Sequence, residues 1–133
     1  MTTTVLLIED SKFIRLTSQR ALVNAGYRVL MAADGGQGLR MARENMPDLI
    51  LLDMMLPVIA GADVLRALKE DPLTAHIPVV VLSSLSQKSS MKLRQQDVAG
   101  YIEKAALVSG DSTVIVTALA AAMPAKSRAA SGA

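Results

Sequence analysis

A chain of 133 residues fits one domain and leaves no room for a second core of useful size. Apolar residues make up 51% of it, yet Phe13, Tyr27 and Tyr101 are the only aromatics, so the interior has to be built from Val, Leu, Ile, Met and Ala. A balance of 14 basic against 12 acidic side chains, net +2, excludes the strong basic field of a dedicated DNA or RNA binder; the absence of cysteine excludes disulfides and thiolate chemistry, and a single histidine, His76, excludes zinc sites built on His pairs.

Residues 5–8 are an apolar strand-like run ended by Glu9-Asp10, with no basic leader ahead of it. Ser11 caps a helix to about Ala25, its apolar stripe formed by Ile14, Leu16, Ala21, Leu22 and Ala25, and Gly26 stands where a helix end wants a left-handed residue. Residues 28–33 read as a second strand. Asp34-Gly35-Gly36 opens a second helix carrying Leu39, Met41, Ala42 and Met46, whose first turn is expected to be irregular because Gly36 and Gly38 each cost about 1 kcal/mol relative to Ala.

After Pro47, the segment Asp48-Leu49-Ile50-Leu51-Leu52-Asp53 is apolar without alternation, as suits a central parallel strand buried on both faces. Pro57 and Gly61 bracket a loop, a third helix spans residues 62–70, and residues 77–82 form a fourth buried strand ending at Ser83-Ser84. A polar helix over residues 86–96, a short strand Gly100-Tyr101-Ile102-Glu103 and a last helix over residues 112–123 complete the pattern. Residues 125–133 read as a flexible tail after a domain spanning residues 1–124. The longest uncharged span, residues 112–125, falls short of the roughly 20 apolar residues that cross a bilayer, so a cytoplasmic protein without membrane contact is expected.

Strands alternating with helices imply an α/β fold, a doubly wound parallel sheet whose functional site lies beyond the carboxyl ends of the strands. There the sequence places Glu9, Asp10, Asp53, Ser83, Ser84 and Lys104. Three carboxylates packed together repel one another unless a cation neutralises them, and Mg²⁺ suits oxygen ligands that await a phosphate. A lysine beside them would hold Asp53 ionised and clamp a phosphoryl oxygen, so that Asp53 can act as a nucleophile and form an aspartyl phosphate.

Glu9-Asp10-Ser11, Asp53-Met54-Met55-Leu56-Pro57 with Gly61, Ser83, and Tyr101-Ile102-Glu103-Lys104 occur in the order of one known family. Over roughly residues 4–123 the chain resembles the receiver domain of bacterial two-component response regulators. The resemblance implies a flavodoxin-like (βα)5 fold with strand order 2-1-3-4-5. It makes Asp53 the phosphoacceptor, with Mg²⁺ held by Asp10, Asp53, the backbone carbonyl of Met55 and Glu9. Ser83 would be the switch hydroxyl, Lys104 the partner of a phosphoryl oxygen, and Tyr101 the aromatic whose rotamer follows Ser83. The phosphoryl donor would be a histidine kinase or a His-containing phosphotransfer protein. Output would go to a downstream protein target, not to DNA, through the face formed by residues 86–96, the fifth strand and the last helix. Such a protein catalyses only its own phosphoryl transfer and slow dephosphorylation.

Three departures stand out. Ala105 follows Lys104 where the family usually has a cis proline, which leaves either a trans bond and a displaced Lys104 or a costly cis bond. Met55, two residues past the acceptor, cannot orient a water, and Ser84 is larger than the usual small residue, so slow loss of the phosphoryl group is expected. The link over residues 105–111 is long and Gly/Ser-like, so the last helix is expected to be short or shifted.

Blander readings remain for each residue: a helix cap for Asp10, an edge charge for Glu9, a strand-end turn for Asp53, a loop hydroxyl for Ser83, a half-buried strand aromatic for Tyr101 and a merely exposed His76. A receiver-fold interaction module whose output ignores phosphate is the alternative function, favoured by Lys104-Ala105; a Mg²⁺-dependent phosphohydrolase lacks a polar base near Asp53. The last helix carries no charge, which argues against a charge-paired dimer and leaves a hydrophobic homodimer as the alternative to an Ala-rich helix facing water.

Overall fold

Val5, Leu6, Leu7 and Ile8 are all fully buried, although a strand turns successive side chains to opposite sides. Both sides of the sheet are therefore covered, and the core divides accordingly. Leu6, Ile8, Ile50, Leu52, Val79 and Val81 meet Ala42, Val64, Leu65 and Leu68 on one face. Val5, Leu7, Leu49, Leu51, Val80, Leu82 and Ile102 meet Leu22, Ile115 and Leu119 on the other. Each such side chain contributes about 1.5–3 kcal/mol by leaving water, and this double burial is why the strand runs lack polar alternation.

The computed structural model describes residues 2–56, 58–83, 98–105 and 112–123. Its elements are β1 (Thr4–Ile8), α1 (Lys12–Asn24), β2 (Arg28–Ala32), α2 (Gly35–Asn45), β3 (Leu49–Asp53), α3 (Gly61–Glu70), β4 (Val79–Ser83), β5 (Gly100–Glu103) and α4 (Ser112–Ala122). The expected polar helix over residues 86–96, Ser84, Pro57, the link over residues 106–111 and the tail lie outside the described residues. All five strands run parallel in the order β2-β1-β3-β4-β5, as the resemblance implied. The chain steps from β1 outward to β2, then back across to β3, so the strand order reverses between β1 and β3. No helix among the described residues is long and apolar enough to cross a membrane.

Local chemistry starts the helices where the sequence indicates. Ser11 Oγ accepts from the Ile14 N–H at 3.3 Å. Asp34 Oδ1 accepts from the Gln37 N–H at 2.8 Å, while Gln37 Oε1 accepts from the Ala33 N–H at 2.9 Å. This reciprocal cap gives α2 a regular first turn, closed by the Gly38 N–H on Asp34 O at 3.0 Å, and so corrects the expected irregularity. Gly38 has a packing reason: a Cβ there would stand 2.5 Å from Ile8 Cδ1, so its absence lets α2 lie close on β1. Strand β4 starts at Val79, two residues later than expected.

The stripe of α1 is also rotated from the expected one. Leu16 is 43% exposed, and Ser18 is buried in its stead beside Ile14 and Leu22. Ser18 Oγ has no hydrogen-bond partner. Because an unsatisfied buried hydroxyl costs about 1–3 kcal/mol, Ser18→Ala is expected to raise the urea midpoint, by an amount worth about 1 kcal/mol. A lowered midpoint would contradict this account of the α1 packing.

Candidate functional site

Register brings the acids together. Ile8 pairs with Leu52, so the next residues along β1 and β3, Glu9 and Asp53, come side by side at the strand-order reversal. The Glu9 N–H remains in the ladder, donating to Ala32 O at 3.0 Å, before the chain turns into α1. One carboxylate oxygen each from Glu9, Asp10 and Asp53 lies within 4.8 Å of the others. Glu9 and Asp53 are fully buried, whereas Asp10 is exposed.

Asp53 Oδ1 has two donors: Lys104 Nζ at 2.7 Å and the Met55 N–H at 3.0 Å. Glu9 Oε1 accepts from the Ser11 N–H at 3.0 Å. Asp53 Oδ2 and Glu9 Oε2 are buried without a partner. Two orphaned carboxylate oxygens facing a third acid are what a hard divalent cation would satisfy. Three acids meet a single lysine there, so a dication would balance the carboxylates that it draws in.

Lys104 reaches Asp53 with Ala105 behind it and with every peptide bond among the described residues trans. Met55 meets Asp53 through its N–H while its side chain is 63% exposed. Ser83 ends β4 opposite Glu103, and Tyr101 pairs with Val81 two steps earlier on β5. Tyr101 is more than one-third exposed. The strand of Ser83 thus lies next to the one that carries Asp53, and that of Tyr101 one strand further out, while His76 is exposed and outside this cluster.

Burial pushes the Glu9 carboxyl up from 4.5 to about 7, with Asp53 adding to the rise and the Ser11 N–H and Lys104 opposing it. A folded-state value above the unfolded one means that the folded chain binds the extra proton. This contribution to stability is full below about 4.5 and is lost as pH rises through about 7. At about 1.4 kcal/mol per pH unit the loss is on the order of 3 kcal/mol. In EDTA, the urea midpoint of the wild type should therefore fall between pH 5 and 8 relative to that of Glu9→Gln, which carries no ionisable group there. Parallel pH profiles would refute the assignment.

Two features escaped sequence reasoning. Arg15 Nη1 donates to the carbonyls of Glu9, at 3.0 Å, and Asp10, at 3.2 Å; a basic residue on a helix gives no signal of such a role. Gly61, in the sequence a loop marker and a member of the family motif with no contact assigned to it, approaches the backbone that follows Asp53: a Cβ there would stand 2.6 Å from Asp53 O and 2.4 Å from Met54 Cα.

A family profile for the response regulator receiver domain matches residues 5–110. The chain belongs to the response regulator receiver family. It is 36% identical over 106 residues to the polar-differentiation response regulator DivK of Brucella ovis, an alignment covering 78% of this chain and 85% of that one. The DivK protein of Brucella anthropi is 35% identical over the same length. Among solved structures, a receiver domain protein from Clostridium thermocellum superposes with a TM-score of 0.73 at 28% identity, covering 87% of this receiver and 93% of that chain. The chemotaxis response regulator CheY4 of Vibrio cholerae gives 0.67 at 25% identity, covering 86% and 99%. Two-component signalling is thus the setting of this receiver.

Proposed function

We propose that Asp53 accepts a phosphoryl group from a histidine kinase or a His-containing phosphotransfer protein, and that the phosphorylated chain signals by changing its contacts with a downstream protein. The observation that carries this reading is the state of Asp53: fully buried, one oxygen held by Lys104 at 2.7 Å, the other without a partner beside two more acids. The free Oδ2 is the nucleophile. It attacks phosphorus in line as the donor's P–N bond breaks, and the electron pair of that bond returns to the imidazole.

Asp10, Asp53 and Glu9 would hold Mg²⁺, together with the Met55 carbonyl that the resemblance implies, and the ion would supply neutralisation of the phosphoryl oxygens. Lys104 is placed to move from Asp53 Oδ1 to a phosphoryl oxygen. Ser83, at the end of β4, supplies the switch hydroxyl, and Tyr101, on the neighbouring strand β5, follows it by changing rotamer. The phosphoryl group adds close to two negative charges at one end of the sheet, enough to reorganise both. The phosphate-independent alternative leaned on Ala105, and against it stands the contact of Lys104 with Asp53.

Incubation with phosphoramidate and Mg²⁺, read by intact-protein mass spectrometry, should add one phosphoryl group to the wild type and none to Asp53→Asn. Labelling that survives in Asp53→Asn would overturn the assignment. Turnover of an added phosphoester would point instead to a phosphohydrolase. Because the exposed Met55 side chain offers no hydrogen bond to an attacking water, the label should persist for minutes or longer. Met55→Asn should shorten its lifetime, by about tenfold or more, and a wild-type lifetime of seconds would contradict this view of Met55.

A further inference from the structure

The phosphoryl chemistry makes no use of Arg15, yet this side chain spans the turn that carries two of the three acids. We propose that Arg15 is a positioning residue that clamps the Glu9-Asp10 backbone and thereby sets the affinity of the acidic trio for a divalent cation. The proposal rests on reading that trio as the cation site.

The carbonyls of Glu9 and Asp10 lie past the end of the β1 ladder, which closes with the Glu9 N–H on Ala32 O. Arg15 Nη1 supplies the donor for both, at 3.0 and 3.2 Å. The anchoring is uneven elsewhere. Glu9 is buried and its carboxylate is held by the Ser11 N–H at 3.0 Å. Asp10 is exposed, and nothing described bonds its carboxylate, so the backbone alone places it near the other two. Like charges within 4.8 Å push apart, and the arm with least restraint yields first. With the carbonyls released, the turn can carry Asp10 outward, and a cation must then recover that arm at an entropic cost. A guanidinium fits the task because its rigid, multiply donating fork holds two acceptors in one geometry.

The test uses the full chain stripped of metal with EDTA and titrated with Mg²⁺ by calorimetry. Arg15→Met keeps the length of the stem and removes the donors; it should weaken Mg²⁺ binding by about tenfold or more, in line with the effect of groups that orient metal ligands. Its phosphoramidate labelling rate should return to within about twofold of wild type at saturating Mg²⁺, a recovery that generally damaged folding would not give. Arg15→Lys, which retains a donor, should recover part of the affinity and carries the test if Arg15→Met does not fold. Arg20→Met removes an exposed charge from the same helix without touching the turn and should bind Mg²⁺ like the wild type. Unchanged affinity in the Arg15 variants, or an equal loss in Arg20→Met, would overturn the proposal. A wild type that binds no Mg²⁺ would instead bring down the cation-site reading beneath it.

Discussion

Replacing Gly61 with alanine is expected to lower the unfolding free energy by about 2–3 kcal/mol, with loss of phosphoramidate labelling in the fraction that remains folded. The new Cβ would lie 2.6 Å from Asp53 O, 2.4 Å from Met54 Cα and 2.9 Å from Met54 C. All three are backbone atoms, so no side-chain tip can swing aside. The approach is itself fixed by the Gly61 N–H on Met54 O at 3.2 Å, which folds the start of α3 onto the segment leaving Asp53. Gly38→Ala is a useful contrast. Its Cβ would press mainly on the Ile8 side chain, with 2.5 Å to Cδ1, and a terminal methyl can rotate. Gly36→Ala meets only Asp34 Oδ1 at 3.5 Å and should stabilise α2, by up to about 1 kcal/mol. Urea midpoints of the three variants should rank Gly61→Ala lowest, Gly38→Ala next and Gly36→Ala at or above wild type. A Gly61→Ala midpoint within error of wild type would show that the loop does not hold this close contact.

Lys104→Met should cost about 3–5 kcal/mol in EDTA near pH 8, because it leaves a fully buried Asp53 with the Met55 N–H as its one described donor. The loss is larger than a surface ion pair would give, since exposed pairs contribute about 0–1 kcal/mol and the Asp53 side chain here has no exposed surface. Lys104→Met combined with Asp53→Asn should recover most of the loss, because a neutral amide does not need the ammonium; this non-additivity is the signature of the pair. Added Mg²⁺ should also narrow the gap between Lys104→Met and wild type by supplying positive charge to the same acids. Labelling by phosphoramidate should slow by about 10²–10³, the usual consequence of removing a charge that stabilises a transferring group. Additive losses in the double variant would show that Lys104 and Asp53 are not energetically coupled.

Much of the architecture was legible because it follows from which residues cannot face water. The run Leu49-Ile50-Leu51-Leu52 has no polar side, so it needed cover on both faces, and it lies in the middle of the sheet. Ser11 and Asp34 announced helix starts by a side-chain chemistry that works locally. The site was legible for the same reason, its acids and lysine being strand-end residues in a parallel sheet.

What escaped was decided by contacts distant in sequence. Helix α1 offers two competing apolar stripes, and the one with Phe13, Leu16 and Val23 faces outward, at 62%, 43% and 52% exposure, because the small Ser18 suits the packed side. Propensity alone marks the glycines of α2 as weaknesses, whereas proximity to Ile8 and Val64 gives Gly38 and Gly35 their use. The place of Lys104 depended on backbone geometry beyond β5 that Ala105 does not announce.

The pairing of β3, β4 and β5 has a mechanical consequence. Asp53 is matched with Leu82, and Ser83 with Glu103, the residue before Lys104, so main-chain rungs space these strand ends as teeth on meshed racks. Sliding one rack by a single tooth would turn Val81 out of one hydrophobic layer and Leu82 out of the other, so the racks stay locked. Any message that leaves this end of the sheet therefore travels by rotating side chains and re-routed loops, over a frame that holds still.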